Sequence, residues 1–368
     1  MVKWIVNEAL DSSISIVDGA GDKEICFDIP LKVDQGLDVT EFSYFLLEKR
    51  DVLENDIRVA RVKELESEKI VGWLIPITAL ESTEHSRADD PHFLKAASLA
   101  LNLIMTNLAE ESAEILGDKP YLRLNLSSHF GQDCVVFIYQ PSAMGVLDTL
   151  NKLPPIFLAN GYFLKDENRI GDVKYQVLAQ ESIGRDLYLN LPSSEITSYS
   201  LIAKIINNSF SIQESGLLKF FLLYQSIELL IDLVLESEYR IAATELADQN
   251  LAIKEIQSRL KRMTEASAQR KRINLLLGEY CKVDEGLSED LRDSCESFLV
   301  EMGEECLANA NAADLLYDVR NMIFHGYASL EESAVESKLE TLVDSLLAVL
   351  GCLAISYGSS NRVQTFNL

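Results

Sequence analysis

The chain has few of the residues that mark the common catalytic and metal-binding motifs. Its 368 residues include only four histidines and six cysteines. No two cysteines have the two-residue spacing of a zinc knuckle or a redox motif, so the sequence predicts reduced and mostly buried thiols. A Gly-rich phosphate loop, a nucleophile elbow and an HExxH string are also missing. These absences remove the usual sequence support for P-loop NTPases, kinases, serine hydrolases and zincins.

Positive charge is scarce as well. The 33 lysines and arginines are opposed by 58 aspartates and glutamates, which gives a formal net charge of −25 at pH 7. A molecule with this charge repels polyphosphates at long range, which excludes a general nucleic-acid coat protein. Any contact with RNA or DNA must therefore use a local basic patch.

Long hydrophobic runs without charges are missing too. The amino terminus, MVKWIVNEALDSS, lacks the apolar run of a signal peptide. The most apolar stretch, 217–235, contains Lys219, Glu228 and Asp232, which favour a buried helix over a membrane span. The sequence therefore predicts a soluble, cytoplasmic protein without a membrane segment.

The chain does have enough apolar residues, 48% of the total, to build the cores of two domains. Residues 1–205 contain short segments rich in β-branched and aromatic residues, which predict a strand-rich α+β domain that we interpret as a sensor or specificity module. SISIV and EICFDI predict a hairpin around residues 18–22, and KIVGWLIPI, YLRLNLSS and CVVFIYQP predict further strands. Residues 92–116 predict a helix that ends at Gly117, and residues 40–53 predict another helix.

Residues 206–358 predict an all-α helical bundle, because every long segment there has a helical period. The predicted helices are 214–238, 240–263, 268–280, 288–307, 312–325 and 331–357. The last one carries apolar residues at alternating four- and three-residue spacing, which is typical of a helix packed against antiparallel neighbours or a second subunit. The tail, residues 359–368, has no period and is predicted to be frayed.

The segment DLLYDVRNMIFHGYASL carries the clearest chemical signal. Asn321 and His325 are four residues apart and therefore lie on one face of a helix. Arg320 is about 140° from His325 around the helix axis, since each residue advances by ~100°. The two could share a target if the arginine side chain curls round, if the helix loosens near Gly326, or if a second copy of this helix packs across a two-fold axis.

Arginine, asparagine and histidine together suit a phosphodiester. A guanidinium group can hold a phosphate with two hydrogen bonds and stabilise the negative charge of the transition state. An imidazole can take the proton of a ribose 2′-hydroxyl or return one to the leaving oxygen. Such a site would cleave RNA without a metal or other cofactor and would spare DNA. A structural interpretation stays open, because a histidine followed by glycine is also a common helix end.

The segment resembles the HEPN superfamily, an all-helical fold whose ribonucleases carry Arg, four to six residues and then His, commonly with Asn directly after Arg. The string Arg320-Asn321-Met322-Ile323-Phe324-His325-Gly326 matches that form, and FFLLYQSIELLIDLVLE is similar to the first helix of these domains. The resemblance covers about residues 210–358. It implies catalytic roles for Arg320 and His325, and supporting roles for Asn321, Glu228 and Tyr327.

The resemblance also implies a homodimer with a composite active site, an RNA substrate, and a role as a toxin or anti-phage (abortive infection) effector with an antitoxin or regulatory partner. Two alternatives stay open. The helical part could be a non-catalytic dimerisation module that binds RNA or a partner, or the activity could belong to the first part of the chain.

One basic stretch stands out in this acidic chain. Seven positive residues against two glutamates give residues 254–272 a local charge of +5. The stretch could guide RNA, or it could be a solvated helix face or a dock for an acidic partner. The seven residues are Lys254, Arg259, Lys261, Arg262, Arg270, Lys271 and Arg272.

The segment ESTEHSRADDPH contains residue types that often bind metals. It contains His85 and His92 among four acidic residues, but the spacing fits no known ligand set. We therefore expect a polar loop without a metal. His129 ends a predicted strand and has no obvious partner.

Overall fold

The computed structural model describes residues 3–7, 13–17, 23–49, 51–64, 67–117, 119–145, 153–165, 186–189, 215–247, 251–307, 309–325 and 333–357. The chain divides into two compact units. The first contains the described residues of 1–149, 162–175 and 181–190, and the second contains those of 150–161 and 191–368. The predicted boundary near residue 205 and the predicted frayed tail lie outside the described residues.

The first unit is strand-rich, as the sequence predicts. Its strands are β1 (Lys3–Asn7), β2 (Ser13–Val17), β3 (Glu24–Asp28), β4 (Ser43–Glu48), β5 (Arg58–Glu64), β6 (Ser67–Pro76), β7 (Tyr121–Leu124), β8 (Cys134–Tyr139), β9 (Phe163–Leu164) and β10 (Asp186–Tyr188). They form a four-stranded sheet in the order β1-β2-β3-β7 and a six-stranded sheet in the order β10-β5-β6-β8-β4-β9. The pairs β3–β7 and β10–β5 are parallel, and the other pairs are antiparallel.

One hydrophobic core joins these strands to a long helix. The helices of the first unit are α1 (Ile77–Leu80), α2 (Pro91–Leu116), α3 (Leu126–Phe130) and α4 (Pro141–Met144). Apolar residues alternate along the strands, so that Ile16 and Phe27 reach the same core as Val136 and the α2 residues Phe93 and Ile104. The helix ends where predicted, because Gly117 adopts a left-handed φ of 52° that residues with a Cβ adopt at a cost.

The predicted hairpin is confirmed in its strands, since Ser13 of β2 pairs with Asp28 of β3 in an antiparallel register. Its turn lies outside the described residues. The predicted helix at 40–53 is wrong, because residues 43–48 form β4. Every residue of β4 pairs with the fully buried strand β8, from Ser43 opposite Tyr139 onwards. This tertiary pairing overrides the local helical pattern.

The second unit is helical, as predicted. Its helices are α5 (Leu153–Ala159), α6 (Gly216–Leu246), α7 (Ile253–Ala266), α8 (Gln269–Leu275, extended by a π-helical turn to Tyr280), α9 (Glu285–Glu301), α10 (Ala312–His325) and α11 (Ser333–Ser356). Helix α11 packs against α5, α6 and α9. Gly351 permits the close approach of α11 to α5, because a Cβ at this position would lie 2.8 Å from the Ala159 nitrogen.

Helix ends in this unit follow local capping. Helix α9 begins three residues before the predicted Ser288, because the Asp284 carboxylate accepts a hydrogen bond from the Gly286 nitrogen and caps the helix there. Helix α6 continues past the predicted end at 238, and its backbone stays helical to Leu246. Helix α10 has the predicted bounds, 312–325.

One described helical stretch, Val335–Ser356, is long and apolar enough to cross a membrane by length and composition alone. Of this stretch, 67% is buried inside the protein. A helix in the core of a soluble protein can have the same length and apolar composition. Helix α11 is packed in this way, against α5, α6 and α9.

Candidate active site

Helix α10 presents the Arg-Asn-His segment. Leu316, Val319 and Ile323 recur at three- and four-residue spacing and are fully buried, so they fix one face of the helix against the bundle. At its start, the Asn311 side-chain oxygen accepts a hydrogen bond from the Asp314 nitrogen, 2.9 Å away. The face opposite the buried stripe is therefore held at a defined angle.

Arg320 is held in a partly enclosed position on α10. Its side chain is 22% exposed, and its Nη2 atom lies 3.7 Å from the Glu228 Oε1 atom. Its Nη1 atom donates a hydrogen bond to the Asn321 side-chain oxygen at 3.2 Å. The buried Nε atom has no hydrogen-bond partner among the described residues. The arginine thus keeps its charge in a partly enclosed position beside one carboxylate and one amide.

Glu228 belongs to the polar stripe of α6 and faces Arg320, as its predicted supporting role requires. Tyr224, one turn earlier on α6, is also close to this pair. Burial raises the pKa of the Tyr224 hydroxyl, and the nearby Arg320 charge opposes that rise. The Gln269 amide nitrogen lies 3.4 Å from the Tyr224 hydroxyl oxygen, which ties α8 to this part of α6.

One aromatic ring packs on Arg320, and a second ring packs on the first. The guanidinium carbon is 4.4 Å from the centre of the Phe324 ring, a cation–π contact. Phe221 of α6 meets Phe324 edge to face, with ring centres 5.0 Å apart. The four-residue spacing from Arg320 to Phe324 predicts the contact between these two side chains. The contact between Phe221 and Phe324 depends on which helix packs beside α10, so no local pattern predicts it.

Asn321 lines an acidic cleft of about 770 Å³. Glu304, Glu305, Asp314 and Asp318 also line it, together with the apolar side chains of Leu299, Leu307, Leu315 and Met322. Arg270 is the cation in this lining, and it is paired with both Asp314 and Asp318. The cleft therefore repels a phosphate chain, and RNA would have to approach Arg320 from another side.

His325 is the last residue of α10, but the position of its imidazole lies outside the described part of the structure. Tyr327 also lies outside the described residues. The structure thus brings together Arg320, Asn321 and Glu228 of the predicted site, and the meeting of Arg320 with His325 stays a prediction.

Some cations of the basic stretch 254–272 form ion pairs with carboxylates, and others are exposed to solvent. Four arginines contact acidic groups of other helices. Arg259 reaches Glu245, Arg270 reaches Asp314 and Asp318, and Arg272 reaches Asp232. Arg262 forms a two-pronged contact with the buried Glu238. These pairs attach α7 and α8 to α6 and α10, so much of the positive charge has a structural use. Lys254 is exposed at the start of α7.

The histidine-containing loop of the first unit holds a buried histidine. His85 is 3% exposed and meets Phe93 edge to face at 4.7 Å, and its Nδ1 atom accepts a hydrogen bond from the Arg87 nitrogen. His92 is exposed. His129 does not end a strand but lies in α3. The described residues contain no group of three or more metal-binding side chains, and all six cysteines are free, four of them buried.

These contacts define what the site can do. Arg320 offers a permanent charge beside the carboxylate of Glu228 and the amide of Asn321. This combination can bind and orient a phosphate group, but proton transfer needs a further group such as an imidazole. No protein-family model, curated protein or solved structure significantly matches this chain.

Proposed function

We propose that the protein is a metal-independent endoribonuclease of the HEPN type. His325 accepts the proton of a ribose 2′-hydroxyl, and the resulting oxygen attacks the adjacent phosphorus. The bond from phosphorus to the 5′-oxygen breaks, and that oxygen leaves with a proton that the protonated imidazole returns. Arg320 stabilises the negative charge that builds up on the phosphate oxygens. The products carry a 2′,3′-cyclic phosphate and a 5′-hydroxyl.

The state of Arg320 is the observation that carries this proposal. A guanidinium cannot shed its charge on burial, and among the described residues the 22% exposed Arg320 side chain faces a single carboxylate, Glu228, at the long distance of 3.7 Å. It stands five residues before a histidine, on a helix whose bounds match the sequence prediction. A phosphate that contacts the exposed part of this side chain would supply a further negative partner.

The resemblance extends the proposal to assembly and biology. Two copies of the helical unit would form a homodimer, and the two Arg–His sets would share one cleft across its two-fold axis. Asn321, Glu228 and Tyr327 would support the catalytic pair. In this proposal the protein acts in the cytoplasm as a toxin or anti-phage effector, restrained by an antitoxin or another regulatory partner.

Substitution of the two catalytic residues tests the proposal. We expect purified full-length protein to cleave RNA in the presence of EDTA and to leave cyclic-phosphate ends. Arg320→Ala and His325→Ala should each lower the rate by about 100-fold or more without changing the oligomeric state. The exposed Arg240→Ala and His92→Ala serve as matched controls and should retain activity. Cleavage that survives both active-site substitutions would refute the proposal.

The second candidate is a non-catalytic module that binds a partner or RNA. The ion pairs within the basic stretch favour this candidate over the nuclease. Arg259, Arg270 and Arg272 already have acidic partners, so they have less positive charge left to hold an RNA substrate. In that case wild-type protein leaves tRNA, rRNA and mRNA intact, and expression of wild type and His325→Ala in cells gives the same growth. Growth arrest that needs His325 would favour the nuclease.

A further inference from the structure

The acidic cleft beside Asn321 repels RNA, but its size suits another ligand. Its volume of about 770 Å³ lies within the range of about 300–1,000 Å³ that is typical of ligand pockets. The end of α9, the connection from α9 to α10, α10 itself and Arg270 of α8 supply its lining. The charge and the apolar side chains of this lining indicate what kind of ligand it fits.

The carboxylates of the cleft outnumber its cations. Arg270 is the one cation among the described lining residues, and it is opposed by four carboxylates, which leaves a net charge of −3. The charge of Arg270 is shared between two of these carboxylates, Asp314 and Asp318. The other two, Glu304 and Glu305, are exposed and form no ion pair with a described residue. Their charge is therefore available to a ligand.

A second arginine reaches the wall of the cleft without neutralising it. The Arg292 Nε atom donates a hydrogen bond to the backbone oxygen of Ala310, which lines the cleft. Arg292 also lies 3.6 Å from Asp293 and 3.4 Å from Glu296. Because two carboxylates already oppose this guanidinium, it adds no positive charge to the balance of the region.

The thiol of Cys306, inside the cleft, responds to this excess of negative charge. Desolvation raises the pKa of Cys306, and the charges of Glu296, Asp318 and Glu304 raise it further. Three separate carboxylates thus act on one lining atom in the same direction. The negative potential extends over the cleft and is not confined to one side chain.

Apolar side chains line the same cleft. Leu307 is 81% exposed, and Met322 is half-buried. An exposed leucine beside a flexible methionine is typical of a surface that a partner covers, since methionine adapts to the shape of its neighbours. A ligand that carries both positive charge and an apolar side chain would match the cleft. A peptide segment with arginine or lysine beside leucine has both, whereas a nucleic acid has the wrong charge.

Asn321 connects the cleft to the candidate active site. It lines the cleft, and its side-chain oxygen accepts a hydrogen bond from the Arg320 Nη1 atom at 3.2 Å. A segment that fills the cleft therefore contacts a residue that holds Arg320.

We propose that the acidic cleft docks a partner protein through a basic segment, which presents lysine or arginine to Glu304 and Glu305 and an apolar side chain to Leu307. Complementary charge speeds the encounter and fixes the register of such a segment. The inference does not depend on the proposed ribonuclease function, because no step of the cleavage takes place in the cleft.

The test measures the binding of a labelled peptide of alternating arginine and leucine to the full-length protein by fluorescence anisotropy. Glu304→Gln/Glu305→Gln removes two carboxylates of the cleft. Glu289→Gln/Glu340→Gln, at exposed positions of α9 and α11 outside the cleft, removes the same charge. We expect the cleft pair to weaken binding by about three- to tenfold at low salt and the control pair by less than about twofold.

A second comparison tests the apolar contact. Leu307→Ser removes the exposed leucine of the cleft, and Ile253→Ser changes a residue of α7 that is 76% exposed. We expect about a fivefold loss of affinity for Leu307→Ser and an unchanged affinity for Ile253→Ser. Both positions are exposed, so neither substitution should prevent folding.

A photoreactive benzoylphenylalanine in place of one leucine of the peptide locates the contact. Cross-links to residues 299–322 are expected, and cross-links only elsewhere would overturn the inference. Equal losses in the cleft pair and the control pair would also overturn it. So would spermidine, or a peptide with serine in place of leucine, that competes as well as the original peptide. Peptide binding in the cleft of a wild-type protein that never cleaves RNA would refute the proposed function and support this inference.

Discussion

Each unit buries side-chain nitrogens that lack a hydrogen-bond partner among the described residues, and two of them are in opposite circumstances. One, in the first unit, is the His85 Nε2 atom, on a side chain that is 3% exposed. The other, in the second unit, is the Arg320 Nε atom, on a side chain that is 22% exposed. Both side chains also contact an aromatic ring, Phe93 or Phe324.

The difference lies in the charge that each group must keep. Burial lowers the pKa of His85, although the Glu54 charge opposes this, so the imidazole avoids the cost of burial by staying neutral. Arg320 has no neutral form to adopt at any ordinary pH. A buried neutral nitrogen closed off from water is a packing feature. A side chain that must keep its charge and is still 22% exposed is a candidate site, and the following predictions test that distinction.

The largest effect is expected from Arg320→Lys. Lysine keeps the positive charge but loses the two-pronged donor geometry and the stacking on Phe324, so RNA cleavage should fall by about 100-fold. The melting temperature should change by only a few degrees. Arg240→Lys, on the exposed surface of α6, controls for the loss of a guanidinium. Full activity in Arg320→Lys would mean that charge alone matters at this position.

A smaller effect, on stability only, is expected from His85→Ala. Removal of a buried ring leaves a cavity and should lower the free energy of unfolding of the first unit by about 2 kcal/mol. The only two tryptophans, Trp4 and Trp73, both belong to this unit, so urea unfolding followed by tryptophan fluorescence reports on it alone. His92→Ala, at an exposed position, should change stability by less than about 0.5 kcal/mol. A loss of RNA cleavage in His85→Ala would contradict the assignment of His85 to packing.

The pH dependence of the first unit should show a still smaller contribution from His85. The unfolded chain binds a proton near the ordinary pKa of 6.5, whereas the folded protein resists it because burial lowers the His85 pKa. The stabilisation is therefore complete above pH 6.5 and is lost progressively as the pH falls toward the folded-state pKa. The free energy of unfolding should fall more between pH 7.5 and 5.5 in wild type than in His85→Gln. Parallel curves would show that His85 is not the group that titrates.

The contrast between α10 and β4 shows which parts of the fold a sequence can predict. For α10 the local signals agree: an asparagine cap, a buried stripe at helical spacing and a glycine just after the end. For residues 43–48 the decisive interaction is the pairing with β8, about 90 residues later in the chain. No local pattern contains that information.

The same limit applies to the site. The motif identified Arg320 and Asn321, and the polar stripe of α6 identified Glu228, because each signal lies within one helix. The contacts that sort the basic stretch join distant residues, such as Arg262 with Glu238 and Arg272 with Asp232. Composition therefore left the use of the basic stretch open, and only the packing of the helices shows which of its cations are paired with carboxylates.

The smallest effect, and the sharpest test of how Arg320 is held, is expected from Glu228→Gln. The ion pair is 3.7 Å long and Glu228 is 41% exposed, so its loss should change stability by less than about 0.5 kcal/mol. If Glu228 only orients the guanidinium, kcat should fall by about two- to fivefold and the KM for RNA should stay constant. Glu236→Gln is the matched control, because Glu236 lies on the same helix and pairs with Arg240. A loss as large as that of Arg320→Lys would instead place the Glu228 carboxylate in the chemical step, since orientation through one exposed ion pair cannot supply an effect of that size.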